Sequence, residues 1–167
     1  MYMAGVPNRT LRRVLDGAIN YGTDTIRIAL YDNSTAYTFD PVNDNFVSDI
    51  LDGGTTAQEL QGSAGYTGST DRQTLANVTV TQDDTDNEGV FDADDVTWQD
   101  VESTEDIQGF ILYKQVGGDD TTPGDDPVLL VVDDSMTDAP PSLPLATNGS
   151  EVVVQWNAEG IKTLSTP

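Results

Sequence analysis

The chain contains no cysteine and no histidine, and only two lysines, Lys114 and Lys162, among 167 residues. Without cysteine there are no disulfides, thiolate metal sites, iron–sulfur centres or thiol nucleophiles, and the redox compartment is left open. Without histidine, Ser-His-Asp hydrolysis, Cys-His chemistry, His-ligated zinc and the imidazole proton shuttle are excluded. Long apolar runs are missing too. The longest is Val128 to Val132, far short of the roughly 18 residues of a membrane span. Met1 to Gly5 carries no basic stretch leading into an apolar one, so the expectation is a protein made and folded without translocation. No Gly-rich phosphate loop, nucleophile elbow or dinucleotide fingerprint is found.

Positive charge is scarce: 7 basic residues face 29 acidic ones, for a formal net charge of -22. Such a surface repels nucleic acid and anionic lipid headgroups, so neither is an expected partner, while basic or cationic partners stay open. Hydrophobic residues make up 37%, below the roughly 45–50% of an average domain. An unfolded acidic chain and a folded protein adapted to concentrated salt both fit these figures. The apolar segments decide between them. Ile26 to Tyr31, Phe110 to Tyr113, Val128 to Val132 and Val152 to Val154 are the β-branched and aromatic runs that disordered acidic chains lack. In molar salt the Debye length falls to about 3 Å, and self-repulsion is screened. The composition is that of a halophile protein with one core.

The length allows a single domain, read as an N-terminal helical segment over 1–23 and a β domain over 24–167. Leu11, Val14, Leu15, Ala18 and Ile19 follow the spacing of one helix face, with Asn8 or Thr10 as cap and Gly22 as terminator. Arg9, Arg12 and Arg13 fall in the first two turns of that helix, where they oppose its dipole. From Asp24 the period changes to two, and Ile26, Ile28 and Leu30 read as one face of a half-buried strand. Further strands are expected at Leu75–Thr81 with Val78 and Val80 inward, at Val90–Ala93, Val96–Trp98, Ile107–Lys114 and Val128–Val132, and at Glu151–Trp156 with Val152, Val154 and Trp156 inward. Phe110–Tyr113 and Val128–Val132 are apolar at consecutive positions, as in central strands covered on both faces. About seven antiparallel strands and one helix give an all-β fold, a β-sandwich or flattened barrel. Asp32–Gly68, with a helical turn at Phe46–Leu51, Gly117–Asp126 and Asp133–Ser150 read as long loops.

The segment Asp84 to Asp95 sets acids at positions 1, 3, 5, 9 and 12 of an EF-hand loop, with Gly89 at position 6. Its flanks are strand-like and position 12 is Asp, so the reading is a hairpin turn. Asp84, Asp86, Glu88, Asp92 and Asp95 are the candidates for Ca2+ or Mg2+, and no other cofactor is expected. Asp119, Asp120, Asp125 and Asp126 form a second acidic cluster. Paired carboxylates suited to glycoside hydrolysis follow by chance from the number of acids, and the four sequons at Asn8, Asn33, Asn77 and Asn148 are equally accidental.

Asp24 to Tyr31 followed by Phe39-Asp40-Pro41 and Ser48-Asp49-Ile50, then Gly65-Tyr66-Thr67-Gly68, Leu75 to Thr81 and Phe91 to Trp98, and finally Gln155 to Ile161, lie in an order that resembles a family of small virion structural proteins of tailed double-stranded DNA viruses. The likeness spans about residues 24–164. It implies a non-enzymatic virion component with no catalytic residues, most simply one that decorates or stabilises a capsid, with a tail or fibre component or an adhesin-like module binding the host surface as the alternatives. The composition adds a haloarchaeal host. The expected location is the virion, after assembly in the host cytoplasm, and the expected partners are other virion proteins and further copies of itself in a symmetric homo-oligomer. Candidate contact residues are Arg9, Arg12 and Arg13 on the helix and the loop aromatics Tyr37, Phe39 and Tyr66.

Overall fold

The unbroken apolar segments form the middle of the molecule. In the computed structural model, which describes residues 5–51, 58–136 and 140–165, β1 (Ile26–Asp32), β7 (Ile107–Lys114) and β8 (Val128–Asp133) lie side by side and antiparallel. Two short strands, β2 (Gln58–Glu59) and β3 (Gln73–Thr74), both pair with the outer edge of β1. A three-stranded sheet is built from β4 (Thr79–Asp83), β5 (Glu88–Asp92) and β10 (Lys162–Ser165), in the order β10-β5-β4. A two-stranded sheet pairs β6 (Val96–Val101) with β9 (Ser150–Val154). The fold is mostly antiparallel β and sandwich-like, and the sheets do not close into a barrel.

The central sheet buries both faces. Ile26, Ile28, Leu30, Phe110, Leu112, Leu130 and Val132 face a large core shared with Val96, Trp98 and Val152 of the β6–β9 pair. Ala29, Tyr31, Ile111, Tyr113 and Val131 face the opposite way, onto Val47, Ile50 and Leu51 of α2 (Val47–Leu51) and onto Tyr37. An irregularity in the β7–β8 register between Leu112 and Tyr113 skips Leu129, so Leu129 and Leu130 both join the first core. Full burial on two faces is the condition under which a strand need not alternate. It corrects the reading of β1 as half-buried, since only Arg27 in that strand keeps partial exposure. The second layer comes from the segment expected to be loop. Residues 52–57 and 137–139 of the expected loops lie outside the described residues.

Three further expectations are corrected. The strand placed at Leu75–Thr81 forms only from Thr79 onward, as part of β4; Val78 ahead of it packs partly against the core as expected, but every residue from Thr79 to Gln82 is exposed, including Val80 at 57%. Trp98 is buried as expected, with its indole N–H donating to the Asp71 carbonyl at 2.8 Å. Trp156 lies beyond the end of β9, only partly buried against Phe110 at 5.9 Å between ring centroids. The N-terminal helix, α1, covers only Asn8–Leu15 and stops where Gly17 takes φ 76. Its expected buried face is only partly inward: Val14 packs against the core, but Leu11 is 46% and Leu15 89% exposed, and Thr10 is buried instead. Anchoring contacts explain the rotation. Gly5 exchanges two backbone hydrogen bonds with Val131, at 2.7 and 2.8 Å, and the Thr10 hydroxyl donates to the Val128 carbonyl. These tie the segment to the edge of β8 and bury Thr10, a polar group whose hydrogen bond is thereby satisfied. Ile19, beyond the helix, enters the core. Among the described residues the N-terminal segment is therefore anchored to the β domain at Gly5, Thr10 and Ile19.

Candidate functional site

The basic cluster of α1 has partners within the chain. The guanidinium groups of Arg9 and Arg13 lie over the Phe46 ring at 4.7 and 5.0 Å from its centroid, a cation–π arrangement worth about 0.5–1 kcal/mol at a partly exposed site. Arg12 pairs with Asp16 at 2.7 Å. Because the helix has only two turns, Arg12 and Arg13 occupy its last turn, where positive charge complements the dipole. The expectation that all three arginines oppose the dipole is thus corrected by the early stop. Desolvation, with Arg9 and Arg12 close by, lowers the Arg13 pKa below its usual value. No side-chain cap is present; Pro7 precedes the helix and the Asn8 N–H donates to the Pro41 carbonyl at 2.8 Å. The outer surface of α1 presents Arg9, Leu11, Arg12 and Leu15, all exposed.

The loop aromatics are not surface groups. Tyr37 and Tyr66 are buried, and Phe39 is partly buried against the second core. Burial corrects the reading of Tyr37 and Tyr66 as contact residues, while Phe39 keeps partial exposure. The Tyr37 hydroxyl donates to Asp44 at 2.7 Å, and the Tyr66 hydroxyl donates to Glu59 at 2.8 Å and accepts the Leu30 N–H at 3.1 Å. Burial pushes both tyrosines well above their ordinary pKa. They are neutral donors that orient carboxylates, not proton acceptors.

Those tyrosines belong to a buried polar layer that spacing did not reveal. Arg72 makes a two-pronged bond to Glu59, at 2.8 Å from Nε and 2.7 Å from Nη2. Burial works against the charge of Arg72, but the bonds and attraction from Glu59 more than offset it and hold the guanidinium protonated. Arg27 donates to Asp120 and to the Arg72 carbonyl, and Asp120 also accepts from Tyr113 at 2.7 Å and Gln115 at 3.0 Å. Farther along the face that carries Tyr113, Asp133 accepts from Tyr31 at 2.7 Å and Gln108 at 3.1 Å. Buried pairs of this kind fix geometry more than they add stability. Asp126, fully buried, accepts the Val116 N–H at 2.7 Å; burial raises its pKa, as it does for Asp44. The available signal was scarcity, since Arg27 and Arg72 are the two arginines outside the helix.

The acidic segment at 84–95 forms the turn and second strand of a hairpin. The Asp83 carboxylate accepts the Thr85 N–H at 2.7 Å and the Asp86 N–H at 3.2 Å, closing the turn. Asp84 and Asp86 sit in that turn, while Glu88 and Asp92 mark the two ends of β5, about 13 Å apart at strand rise. Asp95 accepts the Trp156 N–H at 2.9 Å. The five candidate ligands do not converge, and among the described residues no group of three or more acids is placed to hold a metal ion. A cavity of about 450 Å³ opens between the central sheet and the β9–β10 region, lined by Phe110, Leu130, Val132, Leu143, Val152 and Trp156 among others. No helix among the described residues is long and apolar enough to cross a membrane. Comparison with family models, curated proteins and solved structures finds no match to this chain.

Proposed function

We propose that the protein is a non-enzymatic structural component of a virion, carried by a tailed virus of a halophilic host and attached to an acidic, partly apolar neighbour through the outer face of α1. The observation that carries the reading is the orientation of that helix. Leaving Leu15 in water forgoes about 1.5–3 kcal/mol that a partner could recover, and half-exposed Leu11 about half as much. Arg9 and Arg12 share the exposed surface of this short helix on a molecule whose net charge is -22, so an acidic partner surface is the complementary one. In concentrated salt these charges act only at short range, by paired hydrogen bonds to carboxylates. The ordered likeness across 24–164 supplies the virion context.

Particles banded from a culture that produces the protein test this. The chain should co-sediment with them in fixed proportion, and a Leu11→Asp, Leu15→Asp variant with unchanged circular dichroism should stay in the supernatant. Absence from the particles, with binding to host envelope instead, overturns the virion role in favour of the adhesin. Equal co-sedimentation of the variant overturns the role of α1. Truncation of residues 1–22 is unsuited to the purpose, because Gly5, Thr10 and Ile19 are part of the packed structure.

A further inference from the structure

The three-stranded sheet ends in a bare edge. Among the described residues β4 pairs only with β5, and its other side receives no backbone hydrogen bond from elsewhere in the chain. Thr79, Val80, Thr81 and Gln82 are all exposed. Exposed edges are ordinarily guarded by charge, proline or a bulge. This one is unguarded in a chain where charge is otherwise dense: Leu75 to Gln82 contains no charged residue, whereas Asp83, Asp84 and Asp86 follow at once. Threonine and valine favour the strand conformation.

We propose that β4 is a self-association edge, pairing antiparallel with β4 of a second copy about a two-fold axis, so that two three-stranded sheets join into one of six strands. The charge pattern selects both partner and direction. A parallel pairing would set Asp83 against Asp83, and the acidic turns would meet in the same place. The antiparallel pairing sends each acidic end past the neutral start of the other strand, so like charges separate while the neutral residues face each other. A second β4 brings no charge between Leu75 and Gln82, whereas a partner strand that set a carboxylate directly opposite Asp83 would cost stability. The two-fold arrangement uses the same edge on both copies and closes, which limits growth to a dimer. The association belongs to the isolated protein and needs no particle.

The absence of cysteine makes the test direct. In molar salt, light scattering should give twice the 17.9 kDa chain mass, and Thr79→Asp with Thr81→Asp should return it to monomer. Single variants Thr79→Cys, Val80→Cys, Thr81→Cys and Gln82→Cys, mildly oxidised, should form a disulfide-linked dimer most readily at one central position and fall off on both sides, as antiparallel pairing requires. Thr163→Cys, on the opposite edge of the sheet, should remain unlinked. If the aspartate pair impairs folding, the cysteine profile alone decides. A monomer at several hundred micromolar, equal cross-linking at all four positions, or linking only at 163 overturns the proposal.

Discussion

Tyr66 closes a gap that the backbone leaves open. Along the outer edge of β1, β3 pairs with Arg27 and Ile28 while β2 pairs with Tyr31 and Asp32, and the Leu30 N–H between them is taken by the Tyr66 hydroxyl. The same hydroxyl donates to Glu59, which is clamped by Arg72. Tyr66→Phe keeps the ring and removes only these two bonds, leaving a buried N–H unpaired. The expected loss is about 1–3 kcal/mol, or about 2–4 °C in Tm for each kcal/mol at this chain length. Thermal melts in molar salt check it, and an unchanged Tm would mean that the Leu30 N–H finds another partner. The tyrosine looked like a loop aromatic because glycines stand on either side of it, and nothing in sequence spacing ties position 66 to positions 30, 59 and 72.

At the level of elements, β7 agrees with its sequence reading from Ile107 to Lys114 because the apolar run Phe110–Tyr113 within it has no better place than the middle of a sheet. What periodicity did not show is the function of Gly109 inside it. A Cβ at that position would stand 2.1 Å from the Val132 carbonyl oxygen and 2.5 Å from the Tyr31 hydroxyl. The missing side chain is the passage through which Tyr31 crosses to Asp133. Gly109→Ala should therefore destabilise by about 3 kcal/mol, at the upper end of overpacking costs, whereas Gly89→Ala in β5, with only the Thr81 carbonyl at 3.9 Å, should be close to neutral. Denaturant titration of the two variants separates them, and equal stabilities would break the assignment. In α1 the reverse happened. Leu11, Val14 and Leu15 kept helical spacing, yet of the three only Val14 packs against the core and the fully buried position went to Thr10, whose hydroxyl bonds to Val128 while Gly5 pairs with Val131.

For the molecule as a whole, the charge of -22 sets the working conditions. Two of the seven cations, Arg27 and Arg72, are enclosed in the buried network, so they neutralise little of the surface. Self-repulsion among the outer carboxylates should be tolerable at a Debye length of about 3 Å and increasingly unfavourable at about 10 Å. Dilution from multimolar to about 0.1 M salt should lower Tm and reduce the strand signal in circular dichroism. A Tm independent of salt over that range would refute halophilic adaptation. The buried pairs are screened much less than the exposed ones, so Arg72 and Glu59 should remain joined in the native fraction throughout.

The sequence by itself determined the all-β class, the central strands β7 and β8, the inward placement of Trp98 and the hairpin at 84–92. Each rests on local chemistry: continuous apolar runs demand cover on both faces, and a polar cluster between strands makes a turn. Only the tertiary structure decided which way α1 faces, that Tyr37 and Tyr66 lie inside, that Trp156 stays at the rim of a cavity, and that about seven expected strands become ten among the described residues. Those outcomes depend on contacts between residues far apart in the chain, such as Gly5 with Val131 and Thr10 with Val128. Short strands such as β2 and β3 have two residues each, too few to show a period, and exist because β1 offers them an edge.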